Sequence, residues 1–334
     1  MEALSERFDQ FQELLLSADS IVVTGHENAD GDAVGAVAAL RRHLELTGRH
    51  VTAMLTAPLS PRYGFMEFGR NYEVYDPDQH AELVQSADLF VMCDLSSMGR
   101  LGALEKPAQA SRAKTVCIDH HPCEGEGPAD LNLLDASATA TGRLVYDFIK
   151  HVGGKIDREI AESVFVSLST DTGWFRYPNT NGEVMDLVAD LSAHRLDLPA
   201  MYRSIYQSNS GPMLRLIGHV ARSMNEECGG KLVWSFVRRQ FLDDLGVTRY
   251  EADPILDLLR SGENVSVVAL FTELEDGRIS VSLRSRGDLD MNGVARQFGG
   301  GGHVYAAGTT LSKADAEESR RSLISTLRRM VEKS

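Results

Sequence analysis

The stretch at residues 21–36, IVVTGHENADGDAVGA, constrains the fold of this chain more than any other segment. Its apolar, β-branched opening predicts a buried strand that Gly25 ends, and the small apolar residues after Asp32 predict a helix. His26, Asp30 and Asp32 therefore lie between the end of a strand and the start of a helix. Ligands bind at that position in open α/β sheets, so we expect a binding site there.

Length and composition are those of a folded protein with more than one domain. The chain has 334 residues, of which 43% are hydrophobic and 25% are charged, and these fractions are ordinary for globular domains. No apolar run approaches the length of a membrane span, and the first ten residues carry acids where a signal peptide would be basic. We therefore expect a cytoplasmic protein that has no membrane partner.

The formal net charge of the chain is -14. Proteins that wrap long nucleic acid neutralise its phosphates with basic residues, so this charge disfavours that class. Any polyanionic partner should be short and bound locally. Part of the acidity would be explained if carboxylates hold divalent metals.

Two further apolar runs end in acids or histidines. Residues 87–93 (ADLFVMC) predict a buried strand followed by Asp94, and residues 113–118 (AKTVCI) predict another, followed by the triplet DHH at 119–121. A single Asp after a strand is usually a turn or helix-capping residue. Three such strand ends in one predicted sheet favour a shared site instead.

Asp171 extends this set, because it follows a strongly apolar segment in the run SVFVSLSTDTG. The candidate ligands are then four carboxylates and three imidazoles: His26, Asp30, Asp32, Asp94, His120, His121 and Asp171. Oxygen and imidazole ligands suit Mn²⁺ or Mg²⁺ better than a structural zinc site. Because so many acids would repel one another around a single ion, we expect two divalent cations that share Asp94 as a bridging carboxylate.

The hydrophobic pattern changes after a helical region in the middle of the chain. Before it, strands alternate with helices, which predicts a mainly parallel α/β sheet flanked by helices over residues 1–195. Residues 196–224 predict a helical connection, and residues 225–334 predict a smaller α+β domain.

A glycine run at 299–302 is the only low-complexity segment, and His303 follows it. Such runs are usually flexible linkers, and no Walker sequence is present here. Two arginines lie upstream, at 284 and 286, so a backbone that approaches a phosphate or base closely is the competing interpretation. Arginine can bind phosphate bidentately; Arg100 is a weaker candidate, because surface arginines are common.

These motifs together resemble those of the DHH phosphoesterases. HENADGD at 26–32, Asp94 after its strand, the DHH triplet at 119–121 and Asp171 in STDTG match the four motifs of that family in order and spacing. One departure is Ala29, which stands where the family commonly has Pro. Since Pro is not a ligand, we expect a less rigid turn and no loss of the metals.

The second half of the chain is similar to the DHHA1 domain that accompanies one branch of this family. The similarity rests on RSR at 284–286 and GGGGH at 299–303. That branch contains small oligoribonucleases and 3′-phosphoadenosine 5′-phosphate (pAp) phosphatases, often called nanoRNases.

The resemblance implies a role for each motif residue. One ion would be held by His26, Asp30 and Asp94, and the other by Asp32, Asp94, His120 and Asp171. His121 would contact the substrate phosphate and Asp119 would orient the neighbouring histidine, so the catalytic candidates are His121, Asp94 and Asp119. The implied substrate-binding residues are Arg100, Arg284, Ser285, Arg286, Gly300, Gly301, Gly302 and His303.

The resemblance implies a metal-dependent phosphoesterase. It would hydrolyse short oligoribonucleotides to mononucleotides, remove the 3′-phosphate of pAp, or do both. Two divalent ions, Mn²⁺ in the first place and Mg²⁺ as the alternative, would activate water, and the second domain would hold the nucleotide across a cleft. The alternatives are a phosphodiesterase for linear or cyclic dinucleotides, an inorganic pyrophosphatase, whose second domain differs, and a non-catalytic nucleotide- or metal-binding regulator. The chain could act alone or as a homodimer.

Overall fold

The computed structural model describes residues 2–123, 125–247, 254–286 and 289–333. The chain divides into two compact units, Met1–Ser208 and Asn209–Ser334, and each contains a six-stranded sheet. In each unit, alternate strand residues contribute to two different hydrophobic clusters, so both faces of each sheet are covered.

The sheet of the first unit is entirely parallel. Its strands are β1 (Ile21–Gly25), β2 (Val51–Leu55), β3 (Glu73–Val74), β4 (Leu89–Cys93), β5 (Lys114–Asp119) and β6 (Leu131–Leu134). Their spatial order is β3-β2-β1-β4-β5-β6. β1 and β4 are buried along their whole length, as expected for central strands of a parallel sheet covered on both faces.

Eight described helices surround this sheet: α1 (Glu2–Ser17), α2 (Gly31–Leu46), α3 (Pro77–Ser86), α4 (Glu105–Ala110), α5 (Thr141–His151), α6 (Arg158–Asp171), α7 (Gly182–Ser192) and α8 (Leu198–Tyr206). Five of them begin after an Asp or Asn whose side chain accepts a hydrogen bond from the first turn. Helix α5 has no such cap, because Ala140 precedes it.

Helices α2, α5 and α6 pack against one another at backbone distance around Ser167. A Cβ atom added to Gly35 of α2 would lie 2.4 Å from the Ser163 carbonyl oxygen and 2.8 Å from Ser167 Cβ. A Cβ atom added to Gly142 of α5 would lie 2.2 Å from Ser167 Oγ. The glycines are therefore required by the close approach of these three helices.

The strand order of the first sheet reverses between β1 and β4. The chain passes from β1 to β2 on one side and from β4 to β5 on the other, while Gly25 and Cys93 pair across the two central strands. Residues that follow these two strands therefore lie next to each other at the carboxyl edge. In open α/β sheets this switch point is the usual ligand site.

The second unit has a mixed sheet with strands β7 (Asn225–Glu227), β8 (Leu232–Val237), β9 (Val267–Glu273), β10 (Ile279–Ser285), β11 (Gly301–Gly302) and β12 (Ala306–Leu311). The order is β11-β12-β10-β9-β8-β7, and among the described pairings only β8 with β9 is parallel. Its described helices are α9 (Gly211–Ser223), α10 (Arg239–Leu245), α11 (Pro254–Arg260), α12 (Met291–Arg296) and α13 (Ala316–Glu332).

The predicted fold class is confirmed: a parallel α/β sheet flanked by helices and a smaller α+β unit. In the region predicted as a helical connection, α8 belongs to the first unit and α9 to the second. The sequence patterns did not predict α3, β6 or β12. Prolines break the pattern before α3 and at its first residue, Pro77, β6 is short, and β12 consists mainly of small residues and Thr. No helix in the described part of the chain is long and apolar enough to cross a membrane.

Candidate metal centre

His26 and Asp94 meet at the switch point, directly after β1 and β4. His26 Nδ1 is 2.8 Å from the carbonyl oxygen of Glu27, to which its N–H donates. Its Nε2 lies 3.8 Å from Asp30 Oδ1 and 3.6 Å from Asp94 Oδ2. The ring is therefore oriented by the backbone so that its second nitrogen faces two carboxylates.

His120 has the same arrangement beside β5. Its Nδ1 is 3.1 Å from the carbonyl oxygen of Ala138. Its Nε2 lies 3.3 Å from Asp32 Oδ2, 3.8 Å from Asp94 Oδ1 and 3.9 Å from Asp171 Oδ2. Asp171, the last residue of α6, thus reaches the same edge from a helix rather than from a strand.

Asp94 belongs to both groups of side chains. Its Oδ2 faces His26 and its Oδ1 faces His120, so the two oxygens of one carboxylate point to different sets of neighbours. The residue is 2% exposed and has a φ of 62°. This left-handed backbone is unfavourable for most side chains and is better tolerated by Asp and Asn.

His121 and Asp119 form a third contact next to Asp94. His121 Nδ1 lies 2.7 Å from Asp119 Oδ1 and 3.4 Å from Asp94 Oδ1. Asp119 is fully buried, and its Oδ2 has no hydrogen-bond partner among the described residues. The structure therefore brings every candidate ligand of the DHH, HENADGD and STDTG motifs to one edge of the sheet.

The mutual proximity of these groups shifts their pKa values. Burial alone would lower the pKa of His26, but the adjacent carboxylates of Asp30 and Asp94 raise it to about 10. Burial, together with the charge of Asp94, raises the pKa of Asp32 to about 7. Burial would also raise the pKa of Asp94, but the hydrogen bond and positive charge of the neighbouring imidazoles bring it below its usual value.

Sequence reasoning did not find the residues that hold Asp32. This carboxylate accepts hydrogen bonds from the backbone N–H groups of Thr141, at 2.8 Å, and Gly142, at 3.1 Å. It also accepts one from Ser167 Oγ at 2.5 Å. No sequence pattern marks these partners, because they come from α5 and α6, more than a hundred positions along the chain.

Asp171 is held by a residue that sequence reasoning also missed. Asn179 Nδ2 lies 3.3 Å from Asp171 Oδ2. Gly173, Trp174 and Phe175 connect the two residues, and all three have left-handed φ values between 56° and 63°. Non-glycine residues usually adopt this conformation singly and at a cost in free energy, so two in succession, Trp174 and Phe175, are unusual. This turn reverses the chain after α6 and returns Asn179 to Asp171.

The candidate substrate-binding arginines contact nearby backbone. Arg284 donates to the carbonyl oxygen of Leu283 at 3.0 Å, and Arg286, just after β10, donates to that of Gly262 at 3.2 Å. Ser285 between them is buried, and its hydroxyl donates to the Leu289 carbonyl at 2.8 Å.

Arg100 lies in a 3₁₀ turn after β4, and its carbonyl oxygen accepts a hydrogen bond from the Glu27 N–H at 2.6 Å. This contact places the Arg100 turn beside the turn between β1 and α2.

The glycine run forms a hairpin of β11 with β12, and His303 begins the turn. A Cβ atom on Gly300 would lie 2.1 Å from the Gly308 carbonyl oxygen. Gly302 has a φ of 139°, and its Cβ would lie 2.5 Å from the Ala306 carbonyl oxygen. Gly301 has neither restriction, so the packing of the hairpin explains Gly300 and Gly302 but not Gly301.

Comparison with known proteins identifies the family. Two family models match the chain, "DHH family, N-terminal domain" over residues 20–168 and "DHHA1 domain" over residues 229–333. The bifunctional oligoribonuclease and PAP phosphatase NrnA of Thermus thermophilus is 31% identical over 310 residues, which cover 92% of this chain and 89% of that protein. The chain belongs to the DHH family. Its DHH unit contains the carboxylate and imidazole cluster, and its DHHA1 unit contains the glycine hairpin.

Two solved structures share the fold. An exopolyphosphatase-related protein from Bacteroides fragilis has a TM-score of 0.88 at 24% identity and covers 98% of each chain. RecJ from Thermus thermophilus, in complex with Mn²⁺, has a TM-score of 0.59 at 16% identity and covers 98% of this chain and 55% of RecJ. At these identities the likeness shows the fold alone.

The donor set of the DHH unit fits divalent cations. His26 and His120 each donate one ring N–H to a backbone carbonyl, as metal-binding histidines usually do. Their Nε2 atoms lie 3.3–3.9 Å from the carboxylate oxygens. These distances are long for hydrogen bonds. They are closer to the spacing of roughly 3 Å between two ligand atoms that each bind one ion at about 2.1 Å. The cluster is therefore a divalent-metal site by its chemistry.

Addition of Mn²⁺ to the chelator-treated protein is expected to stabilise the DHH unit. A ligand at a hundredfold excess over its Kd contributes about 2.7 kcal/mol, which corresponds to a rise in Tm of roughly 5–10 °C for a unit of this size. Differential scanning calorimetry measures the shift. Asp171→Asn should reduce it, whereas Glu27→Gln, which removes an equal charge from an exposed neighbour of His26, should preserve it. Equal reductions would show a general charge effect instead of ligation.

Proposed function

We propose that this protein is a two-metal-dependent phosphoesterase that hydrolyses short oligoribonucleotides to mononucleotides and removes the 3′-phosphate of pAp. The observation that carries this proposal is that His26, Asp30 and Asp94 form one group of potential ligands, and that the other oxygen of Asp94 lies 3.8 Å from His120 Nε2 of a second group, which His120 forms with Asp32 and Asp171. The two activities are those named for the NrnA relative, whose length this chain covers almost completely.

In this proposal the two ions have separate ligand sets that share one residue. His26, Asp30 and Asp94 would hold one ion, and Asp32, Asp94, His120 and Asp171 would hold the other. A set that mixes carboxylates with imidazole favours Mn²⁺, with Mg²⁺ as the alternative. When bound, two such ions would lower the pKa of water towards about 7 and would neutralise charge on the phosphoryl oxygens.

His121 contributes a hydrogen-bond donor to the phosphate. Burial alone would lower the pKa of His121, but its hydrogen bond to Asp119 and the charge of Asp94 raise that pKa above its usual value. Asp119 also fixes the orientation of the ring through the 2.7 Å contact with Nδ1. A protonated, oriented imidazole stabilises the negative charge that develops on phosphoryl oxygens.

The DHHA1 unit contains further candidate residues for nucleotide binding. Arg284 and Arg286 carry guanidinium groups that can bind phosphate oxygens in pairs. At Gly301 of the hairpin, an added Cβ would meet no atom closer than Asn292 Oδ1 at 3.9 Å, an ordinary contact. In the DHH unit, Arg100 is the corresponding candidate. A net charge of -14 supports short substrates over long nucleic acid.

A substrate panel tests the proposal. Di- to pentaribonucleotides, pAp, linear and cyclic dinucleotides, pyrophosphate and a long RNA are each incubated with Mn²⁺ and, in parallel, with Mg²⁺. We expect mononucleotides from the short RNAs and phosphate from pAp, faster with Mn²⁺, and no products from pyrophosphate or from the interior of the long RNA. Chromatography of nucleotides and a phosphate assay measure the products.

The other outcomes separate the alternatives. Hydrolysis confined to linear or cyclic dinucleotides would favour a dinucleotide phosphodiesterase. Nucleotide binding without hydrolysis of any substrate would favour a regulator. Release of neither mononucleotides nor phosphate with either metal would refute the proposed function.

A further inference from the structure

The first turn of α5 lies against two carboxylates of the candidate metal centre. The backbone N–H of Thr141 is 2.8 Å from Asp32 Oδ2, and that of Gly142 is 3.1 Å from Asp32 Oδ1. The Thr141 hydroxyl lies 3.1 Å from Asp94 Oδ1. Thr141 is fully buried, so both contacts are shielded from water.

Asp32 replaces the missing cap of α5. Ala140 at the N-cap position has no side-chain acceptor, whereas the two oxygens of Asp32 accept from the first two N–H groups of the helix. A carboxylate at the N-terminus of a helix is stabilised by the unpaired N–H groups and by the helix dipole. The orientation of Asp32 is therefore set by α5, although Asp32 itself belongs to α2.

The Thr141 hydroxyl acts on one particular oxygen of Asp94. It donates to Oδ1, which lies 3.8 Å from His120 Nε2 and 3.4 Å from His121 Nδ1. The other oxygen, Oδ2, faces His26 and receives no contact from Thr141 among the described interactions. Thr141 therefore binds Asp94 on the side of the ion that Asp32, His120 and Asp171 are proposed to hold.

We propose that Thr141 is a positioning residue that fixes Asp32 and Asp94 relative to each other, through its backbone N–H and its hydroxyl respectively, and thereby sets the affinity of the ion site formed with His120 and Asp171. This inference rests on the two-metal site of the proposed function. The buried hydroxyl is the only part of this clamp that a side-chain substitution can remove, because the N–H groups belong to the backbone.

The neighbouring packing keeps the clamp rigid. Ser167 of α6 donates to Asp32 Oδ1 at 2.5 Å and accepts a hydrogen bond from the Gly142 N–H at 3.0 Å. The first turn of α5 is thus held against α6 as well as against Asp32. A small displacement of α5 would move both carboxylates, and the loss of hydrogen bonds to metal ligands typically lowers metal affinity by 10–100-fold.

Thr141→Val tests this inference, because Val keeps the shape of the side chain and removes the hydroxyl. Mn²⁺ titrations of the full chain, followed by electron paramagnetic resonance without substrate, resolve two binding steps and the magnetic coupling of the pair. We expect one of the two steps to weaken about tenfold, with loss of the coupled signal at limiting Mn²⁺. Thr141→Ser restores the hydroxyl and should restore both.

A matched control is Thr24→Val, which removes a fully buried hydroxyl from β1 whose described hydrogen bond is to the Gly25 carbonyl of its own strand at 3.3 Å. It should leave both binding steps unchanged. Wild-type affinity in Thr141→Val, or a defect in Thr141→Ser as large as that in Thr141→Val, would overturn the inference alone. If the parent chain does not bind Mn²⁺, both this inference and the proposed function are overturned. If the variants show the expected changes in Mn²⁺ binding but the parent chain hydrolyses no substrate, only the proposed function is contradicted.

Discussion

Asp94→Asn is expected to lower the hydrolysis of short RNA and pAp by roughly a thousandfold. The two oxygens of this carboxylate face the two different sets of ligands, whereas an amide offers only one oxygen and no negative charge. A thousandfold loss corresponds to about 4 kcal/mol of transition-state stabilisation, which is within the several kcal/mol that bound cations contribute to phosphoryl transfer. Turnover at saturating substrate and Mn²⁺ measures the effect.

The same substitution should leave the fold intact. Asn has nearly the size of Asp and is among the few residues that tolerate a left-handed backbone, here with a φ of 62°. The Thr141 hydroxyl can still donate to the remaining side-chain oxygen. Circular dichroism and the Tm of the metal-free protein should therefore match those of the parent chain.

Asp135→Asn is the matched control for Asp94→Asn. Asp135 also follows a strand of the parallel sheet directly, β6, but its carboxylate accepts hydrogen bonds from the backbone and hydroxyl of Ser137 in a local turn. Its substitution should change turnover by no more than a few-fold. Wild-type hydrolysis by Asp94→Asn would contradict the shared-ligand assignment, and an equal loss in both variants would show that strand-end acids matter in general.

Gly142→Ala is expected to destabilise the DHH unit by about 3 kcal/mol. A Cβ atom at this position would lie 2.2 Å from Ser167 Oγ and 2.5 Å from Ser167 Cβ, so α5 and α6 must separate. Overpacking of this kind costs about 1–3 kcal/mol, and the separation also weakens the hydrogen bonds that Asp32 accepts, at about 1 kcal/mol each. Denaturant unfolding should show the loss, together with a fall in Tm of roughly 6–12 °C.

Two further variants test the reason for this loss. Gly182→Ala, at the first residue of α7 with no atom within 4 Å of the added Cβ, should stabilise the unit slightly or leave it unchanged. Ser167→Gly combined with Gly142→Ala removes the clashing atoms and should recover part of the stability, while the hydrogen bond to Asp32 stays lost. A Gly142→Ala protein as stable as the parent chain would contradict the close packing of α5 on α6.

The local pattern of the sequence was sufficient for the architecture around the site. Strands β1, β4 and β5 are apolar runs, and parallel strands place their carboxyl ends at one edge, so the position of His26, Asp94 and the DHH triplet followed from periodicity alone. The glycine run was harder to interpret. Its residues look equivalent in the sequence, but packing against β12 requires two of them and leaves Gly301 unexplained.

The tertiary structure alone decided how the cluster is held. Asp32 meets Thr141 across 109 positions and Ser167 across 135, and Asn179 returns to Asp171 through a left-handed turn that no propensity predicts. Hydrogen bonds of this kind depend on which helix ends pack together. Tertiary packing decides this, and the order of neighbouring residues in the chain does not. The sequence by itself therefore predicted which side chains come together and at which edge of the sheet they lie. The packing of α2, α5 and α6 determined how two carboxylates of the cluster are oriented, Asp32 at the start of α2 and Asp94 after β4.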